Sequence, residues 1–540
     1  MSVAPSAPSA AASPDPARAD GAVTGPAAVT ASRGRWLLWL NAGRRTELLV
    51  VLGIGLLALL VRLAFSFRAP PFVTNDSLSY LLPGFDLLHG GGFAPILKRP
   101  PLYPLFVGGV LSTFGEELRV LVLVQHLLGV VTVLLAYGIG RLLFGPAGAA
   151  VGALLTALSG PAIVTEQYLM SEGLFTVLLA AGLLAYLAGV RCGDSLVEEG
   201  FADPGCAGVV ATKRPGSGRP RSRVWLLGLA GALLALAALT RPLAQLVLLG
   251  LIVALPVLLP RWRPVLLGAL ALLLGFGIVV LPWMVRNQLV QGTFAIAGGS
   301  GEGLAVRTIR YDQKFDFREP PGGDQDRTLQ RARRIYRDEA ADGSAFELAA
   351  RLRDELGVSE IEAERLMRTI ALQAILKQPG YYLSGTADML VQTFVGRPVR
   401  LRQDWLPWRN IAWPERVRHL LPSPSAVEER SFGAAERLVT LYDPARLAPL
   451  LAVLALVGSM SGLRRRRPET LLVGLLVFFM LLAGAALIGI EWRYRFPLDP
   501  LVNVLVGGGV AALAGFVWAA VGRFAAGGAA RTAATSASPR

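Results

Sequence analysis

NDSLSYLLPGFDLLHGGGFAPILKRPPLYPLF, residues 75–106, is the stretch from which the rest of the chain can be read. It follows the first long apolar run. It carries Asp76, Asp86, Lys98 and Arg99, then a proline-rich turn of Pro100, Pro101 and Pro104 with Tyr103 inside it. Proline fixes φ and removes a backbone donor, so RPPLYP cannot form the interior of a regular helix. The apolar run 102–114 has 13 residues, short of the roughly 20 that a helix needs to cross a bilayer. Whether it crosses sets the side of the membrane on which every later loop lies.

The basic residues decide the matter. Arg33, Arg35, Arg44 and Arg45 precede the first span, about 46–66. Basic residues concentrate in cytoplasmic loops, so the N-terminus is expected inside and the loop from Phe67 outside. Later spans fall near 119–142, 147–164, 172–190, 224–240, 243–260, 264–284, 446–462, 469–489 and 498–520. If 102–114 stays out of the count, Arg141, the loop with Arg191, Lys213, Arg214 and Arg219, the pair Arg261 and Arg263, and the arginines at 464–467 all lie inside. If it crosses, they all face outward. The expected fold is therefore an all-α polytopic membrane protein of about ten transmembrane helices, with both termini cytoplasmic. Residues 102–114 are then interfacial or re-entrant.

This reading divides the chain into a disordered cytoplasmic tail (1–45), an N-terminal transmembrane module (46–287) with a first outer loop (67–118), an outer insert (288–445), C-terminal transmembrane helices (446–522) and a cytoplasmic tail (523–540). Residues 1–32 are rich in Ala, Pro and Ser without apolar periodicity. They lack the charged start and short apolar core of a signal peptide. In the insert, 326–353 and 358–376 read as surface helices, and Trp405, Trp408 and Trp413 as an interface-hugging segment.

Composition agrees. Of 540 residues, 53% are hydrophobic and 17% charged, against roughly 25% charged in a soluble domain. The mean hydropathy is +0.51. The net charge of +15 is carried mostly by arginines in short clusters between apolar runs, a membrane-orienting pattern rather than a nucleic-acid footprint. Cys192 and Cys206 share one loop on the expected cytoplasmic side and are read as reduced thiols.

On this topology one set of polar residues gathers at the outer face: Asp76 with Lys98 and Arg99, Glu166 and Glu172, Arg241, Arg286 with Asn287, and Glu491, Arg493, Arg495 and Asp499 in EWRYRFPLDP. Ionisable groups beside a membrane core are costly and mark function. Two arginines around an aromatic beside a proline break suit a phosphate clamp, while single arginines at span ends also snorkel to headgroups. Asp76 reads equally as a helix N-cap, and Glu172 suits a helix dipole. His89, His126 and His419 are not spaced as metal ligands, and His126 beside Gln125 fits an interhelical hydrogen bond. GGSGEG, 298–303, reads as a flexible loop.

NDSLSY, RPPLYPLF, MSEGLF (170–175), LTRP (239–242), LPWMVRN (281–287) and EWRYRFPLDP (491–500) occur in one order. In that order the chain resembles the GT-C glycosyltransferase superfamily, of the ArnT-like and protein O-mannosyltransferase kind. The resemblance covers about 46–300 and 446–520. It implies a polyprenyl-phosphate sugar as donor, juxtamembrane helices in the first outer loop, a catalytic Asp at Asp76 and a second acidic position at Glu172. The family often has an acidic residue beside that Asp, where this chain has Asn75 and Ser77.

The mechanism so implied is inverting displacement at the cytoplasmic membrane's outer face. Asp76 is the base, and Arg286, Arg493 and Arg495 stabilise the departing phosphate. Lys98, Arg99, Tyr103 and Glu491 contribute to substrate binding. Glu172 orients the acceptor or ligates a divalent cation. No cofactor is certain. The acceptor is a lipid, glycan or protein, and no nucleic acid is involved. The competing readings are a transporter of a sugar-lipid or small anion, whose polar groups belong at mid-membrane within paired repeats, and a non-catalytic membrane scaffold.

Overall fold

The structure, a computed structural model, describes residues 44–96, 98–194, 224–319, 326–342, 345, 347–396, 398, 413–420, 426–464, 467–489 and 492–536. Readings at 1–43, Cys206, Trp405, Trp408 and Glu491 lie outside these residues.

Apolar runs become helices of matching length. Arg44–Ser66 forms α1, and two helices of the first loop follow, α2 (Asn75–Leu88) and α3 (Leu102–Phe114). Next come α4 (Leu118–Phe144), α5 (Pro146–Leu158), α6 (Gly160–Gln167) and α7 (Glu172–Asp194). They are followed by α8 (Val224–Ala238), α9 (Ala244–Leu258) and α10 (Trp262–Gln291). Ahead of the last apolar helices lie α11 (Ser300–Ala305), continued by a π-helical turn to Tyr311, then α12 (Arg327–Asp342), α13 (Leu348–Leu356), α14 (Glu360–Lys377) and α15 (Pro379–Val395). The chain closes with α16 (Glu415–Arg418), α17 (Ala426–Val439), α18 (Ala448–Arg464), α19 (Glu469–Leu487), two short 3₁₀ turns (Trp492–Tyr494 and Phe496–Leu498) and α20 (Asp499–Ser536). Among the described residues there is no strand, only isolated bridges from Phe72 to Tyr168 and from Ser159 to Tyr442.

The chain is an all-α, multi-pass membrane protein. Among the described residues six helices are long and apolar enough to cross a bilayer, in α1, α4, α7, α10, α19 and the start of α20, and α5, α8, α9 and α18 are shorter apolar helices. Helix α3 is a 13-residue piece, about 20 Å long at 1.5 Å per residue. It packs on α2: a Cβ on Gly84 would sit 2.5 Å from the Pro104 carbonyl oxygen, and one on Gly108 would sit 2.9 Å from the Gly84 oxygen. Only glycine permits this approach. In the polar segment the stretch expected at 326–353 holds two helices, α12 and α13, and with α14 they close over their own core of Leu304, Ile335, Tyr336, Leu352, Met367 and Ile370.

Two expectations need correction. The span placed at 147–164 is two helices, α5 and α6, broken at Ser159 ahead of Gly160 and Pro161, where Gly160 N–H donates to the Tyr442 carbonyl at 2.9 Å. GGSGEG is no open loop: its second half starts α11, and the Glu364 carboxylate accepts from Gly301 N–H at 2.8 Å. The span expected near 498–520 is found at Phe496–Val521, and its helix continues to Ser536.

Candidate active site

The first loop is pinned before its chemistry begins. Phe72 N–H donates to Gln167 O at 2.9 Å and Leu169 N–H to Phe72 O at 3.0 Å. The Gln167 amide nitrogen adds two bonds, to Ala69 O and Pro70 O, at 2.9 Å each. The loop thereby runs beside Met170, Ser171 and Glu172. Thr74 occupies the N-cap of α2, and Ser77 Oγ accepts from its N–H at 2.9 Å. Asp76 therefore lies inside the first helical turn and is not the cap. Its carboxylate is free for long-range partners.

Two arginines take it. Arg99 Nη2 donates to Asp76 Oδ1 at 2.5 Å, and Arg493 Nη1 donates to Oδ2 at 3.1 Å. The Asp76 side chain is 34% exposed. Burial pushes its pKa up, but Arg99 and Arg493, with a further contribution from Lys98, outweigh that and hold it down at about 2. Arg99 is also bound by Ser79 Oγ at 2.8 Å and by the Tyr80 hydroxyl at 3.0 Å. The Tyr80 oxygen lies 3.3 Å from Ser171 Oγ, one residue from Glu172.

Glu172 opens α7, almost wholly buried, and Arg241 Nη2 donates to its Oε1 at 3.1 Å. Its Oε2 is buried without a hydrogen-bond partner. The Arg241 guanidinium stacks 4.9 Å from the Tyr494 ring centre. Burial, reinforced by the Glu172 carboxylate, keeps the Tyr103 phenol well above its usual range, so it stays a donor, giving a 2.6 Å bond to Gln125 Oε1. Its ring meets Tyr80 edge-on at 5.0 Å. Asp76, Arg99, Tyr103, Glu172, Arg241 and Arg493 thus form one connected centre from five separated motifs.

The other candidates have their hydrogen-bond partners outside this centre. Lys98 pairs with both Glu302 oxygens, at 3.0 and 3.3 Å, and joins the first loop to α11. Arg286 stacks 4.8 Å from its neighbour Trp283 and donates to Asn287 Oδ1 at 3.1 Å, outside the Asp76 ring. Arg495 is a correction to the phosphate clamp. It is 3% exposed and paired with Asp499 at 2.9 Å. It also donates to Val395 O at 2.7 Å and to Phe394 O, so it ties down the end of α15. Glu166, expected at the outer surface, is buried. Arg62 grips it through Nε at 2.8 Å and Nη2 at 2.9 Å, and His126 Nδ1 lies 2.8 Å from Oε2. His126 does bridge helices, reaching Gln167 through Nε2 at 2.8 Å.

Ser79, Tyr80, Met170, Ser171 and Tyr494 were not singled out from the sequence. Ser79 and Tyr80 follow Asp76 at i+3 and i+4, the spacing of one helix face, so a signal existed. Among the described residues no group of three or more His, Cys, Asp or Glu side chains is placed to hold a metal ion. Both Asp76 oxygens already face arginines. That carboxylate does not fit a divalent cation, and no step is drawn through one.

Residues 98–195 match the family described as dolichyl-phosphate-mannose-protein mannosyltransferase. No curated protein matches the chain. Among solved structures, the chain is similar to the Archaeoglobus fulgidus oligosaccharyltransferase tethered to an acceptor peptide, at 12% identity and TM-score 0.44, covering 86% of this chain and 49% of that one. The archaeal oligosaccharyltransferase AglB of the same organism, with an inhibitory peptide and a dolichol-phosphate, matches at 15% identity and TM-score 0.42, covering 85% and 50%. ArnT from Cupriavidus metallidurans bound to undecaprenyl phosphate matches at 13% identity and TM-score 0.36, covering 87% and 79%. The chain spans about half the length of the oligosaccharyltransferases it matches.

Proposed function

We propose that this chain, similar to GT-C glycosyltransferases of the ArnT-like and protein O-mannosyltransferase kind, is a membrane glycosyltransferase. In this reading it moves a sugar from a polyprenyl-phosphate-linked donor to an acceptor hydroxyl on the outer face of the cytoplasmic membrane, with both termini cytoplasmic. The observation that carries the reading is one carboxylate, Asp76, set between Arg99 of the first loop and Arg493 of the turn before the last helix. A base flanked by cations is what displacement of a phosphate from an anomeric carbon requires.

In the proposed step the acceptor oxygen bonds to the anomeric carbon as its proton passes to Asp76. The bond from that carbon to the phosphate oxygen breaks, and its electron pair leaves with the polyprenyl phosphate. Arg493, with Lys98 nearby, stabilises the charge that develops there. Glu172, held by Arg241, orients the acceptor. The family match at 98–195 supports the donor class. A sugar donor that acts outside must already have crossed the membrane, as a lipid-linked sugar has. The test is whether the purified protein releases polyprenyl phosphate from a polyprenyl-phosphate sugar. No release across the common hexosyl and pentosyl donors, with folded protein, would remove this reading in favour of transport.

A further inference from the structure

Arg286 was expected on the departing phosphate, yet among the described residues it shares no hydrogen bond with the Asp76 centre. It lies near the C-terminal end of α10, on the expected outer side, and its surroundings make a site of their own. Nη1 donates to Asn287 Oδ1 at 3.1 Å, and the guanidinium carbon stands 4.8 Å from the Trp283 ring centre. Trp283 and Arg286 are three apart on one helix, so their side chains meet on one face. Both supports are fixed in turn. Trp283 Nε1 donates to Ile296 O at 2.9 Å, and Asn287 Nδ2 donates to Ala295 O at 2.9 Å and to Ile296 O at 3.3 Å.

One edge of the guanidinium remains. Nε and Nη2 make a planar, two-pronged donor, and neither has a hydrogen bond or an ion pair among the described residues. A half-buried cation beside a membrane core is costly without an anion. Two parallel N–H groups match two oxygens of a phosphate. The first loop adds a second aromatic wall. Gly90 and Gly92, at φ 74° and 82°, take the left-handed backbone that glycine adopts without strain. Phe93 follows them and meets Trp283 with ring centres 6.2 Å apart. On α10 itself Leu281, Val285, Leu289 and Val290 are exposed, the apolar surface of a helix that borders lipid.

We infer that Arg286, Trp283 and Phe93 form a binding site for the phosphate of an anionic phospholipid in the outer leaflet. The Nε and Nη2 edge holds two phosphate oxygens, the two rings flank the glycerol esters, and the chains run along the exposed apolar side of α10. The surroundings select this class. A free anion would use the arginine alone, whereas the rings and the exposed aliphatic side chains add contact only for a ligand that carries chains. A lipid of net negative charge suits a guanidinium that no carboxylate neutralises among the described residues. The bound lipid ties the Gly90–Phe93 segment of the first loop to α10. The inference stands apart from the donor class proposed above.

The test is photocrosslinking of the full chain in phosphatidylcholine nanodiscs that contain a small share of a phosphatidylglycerol analogue with a diazirine beside its phosphate. Peptide mass spectrometry reads the label on residues 281–291 and 90–96 against the exposed apolar face of α1 at Leu48, Leu49 and Leu52. Label at the first two segments should exceed that on α1 several-fold. Arg286→Gln should lower it about tenfold, as loss of a charge-assisted pair requires, with α1 labelling unchanged as the control for insertion. Arg286→Lys should recover only part, since an ammonium cannot present the two-pronged edge. Unlabelled phosphatidylglycerol should compete, while millimolar inorganic phosphate and equimolar undecaprenyl phosphate should not. Equal label in the wild type and Arg286→Gln overturns the site and makes Arg286 an interface anchor. Competition by inorganic phosphate overturns the lipid as its source, and competition by undecaprenyl phosphate returns the arginine to the donor.

Discussion

Asp76 and Arg493 stand 417 positions apart in the chain and meet at 3.1 Å. The contact joins the first loop to the turn before the last helix, and the latter half of the transmembrane domain thereby completes a site that the first loop begins. Further links reinforce this closure. Lys98 meets Glu302, and Arg416 grips Asp86 through two bonds of 3.0 Å.

Asp76→Asn separates chemistry from structure. Thr74 caps the helix, so the amide is not needed there, and Arg99 keeps Ser79 and Tyr80. The variant should insert, fold and retain donor, yet transfer sugar at least about 100-fold more slowly, the low end for a positioned base. Single-turnover assays on the purified variant measure this. Near-wild-type transfer would sink the base assignment.

The two arginines of EWRYRFP should part company. Arg493→Gln should leave expression intact and weaken donor use, since each charge-assisted hydrogen bond lost is worth roughly 1.5–3 kcal/mol. Arg495→Gln should instead lower yield and thermal midpoint, because it leaves Asp499 buried and unpaired. Donor titrations and melting curves on both variants decide it. The reverse pattern would return Arg495 to the phosphate.

Glu166→Gln should act through folding. Its carboxylate neutralises the buried Arg62, and breaking a buried pair from one side costs about 3–5 kcal/mol. Yield should collapse while any folded remainder keeps its specific activity. Normal yield with a slowed reaction would place Glu166 in the chemistry instead.

The acid side of the stability profile should report Asp76. Its pKa is depressed from 3.8 to about 2 in the folded protein. Its ion pairs therefore stabilise the fold fully above the unfolded value and lose that contribution as pH falls through the folded one. The difference in thermal midpoint between wild type and Asp76→Asn should be flat at neutral pH and down to about 4, then shrink towards 2. A difference that changes between pH 5 and 7 would mean that another group supplies it.

Cysteine labelling tests the topology. In a background without Cys192 and Cys206, Ser112→Cys and Arg261→Cys, both at exposed positions, should react from opposite sides with an impermeant reagent. Ser112→Cys should label from outside. Labelling of Ser112→Cys from inside and of Arg261→Cys from outside would require 102–114 to cross and would reverse every later loop.

Much of the architecture was legible because it rests on local quantities. Run length sets the 13-residue α3 apart from the long apolar helices, and the apolar runs 118–144, 172–191 and 262–291 became long helices. The Gly160-Pro161 break in the expected span at 147–164 was also present in the letters, but apolar content on both sides hid it. In the site, Ser79 and Tyr80 could have been found by helical spacing from Asp76. Their role as supports of Arg99 could not, because Arg99 arrives from the loop between α2 and α3.

What the sequence by itself determined was which segments are apolar, how long they are and where the charges gather between them. Those properties belong to consecutive residues, and the bilayer reads them one segment at a time. Only the tertiary structure decided between near neighbours of the same type. Arg493 and Arg495 are two positions apart, yet one faces Asp76 and the other is sealed against Asp499. Glu166 and Glu172 are six apart, yet one is consumed by Arg62 and the other reaches the site beside Arg241. The energy of a partly buried charge is set by the partner that distant packing brings within about 3 Å, and nothing in the local sequence carries that distance.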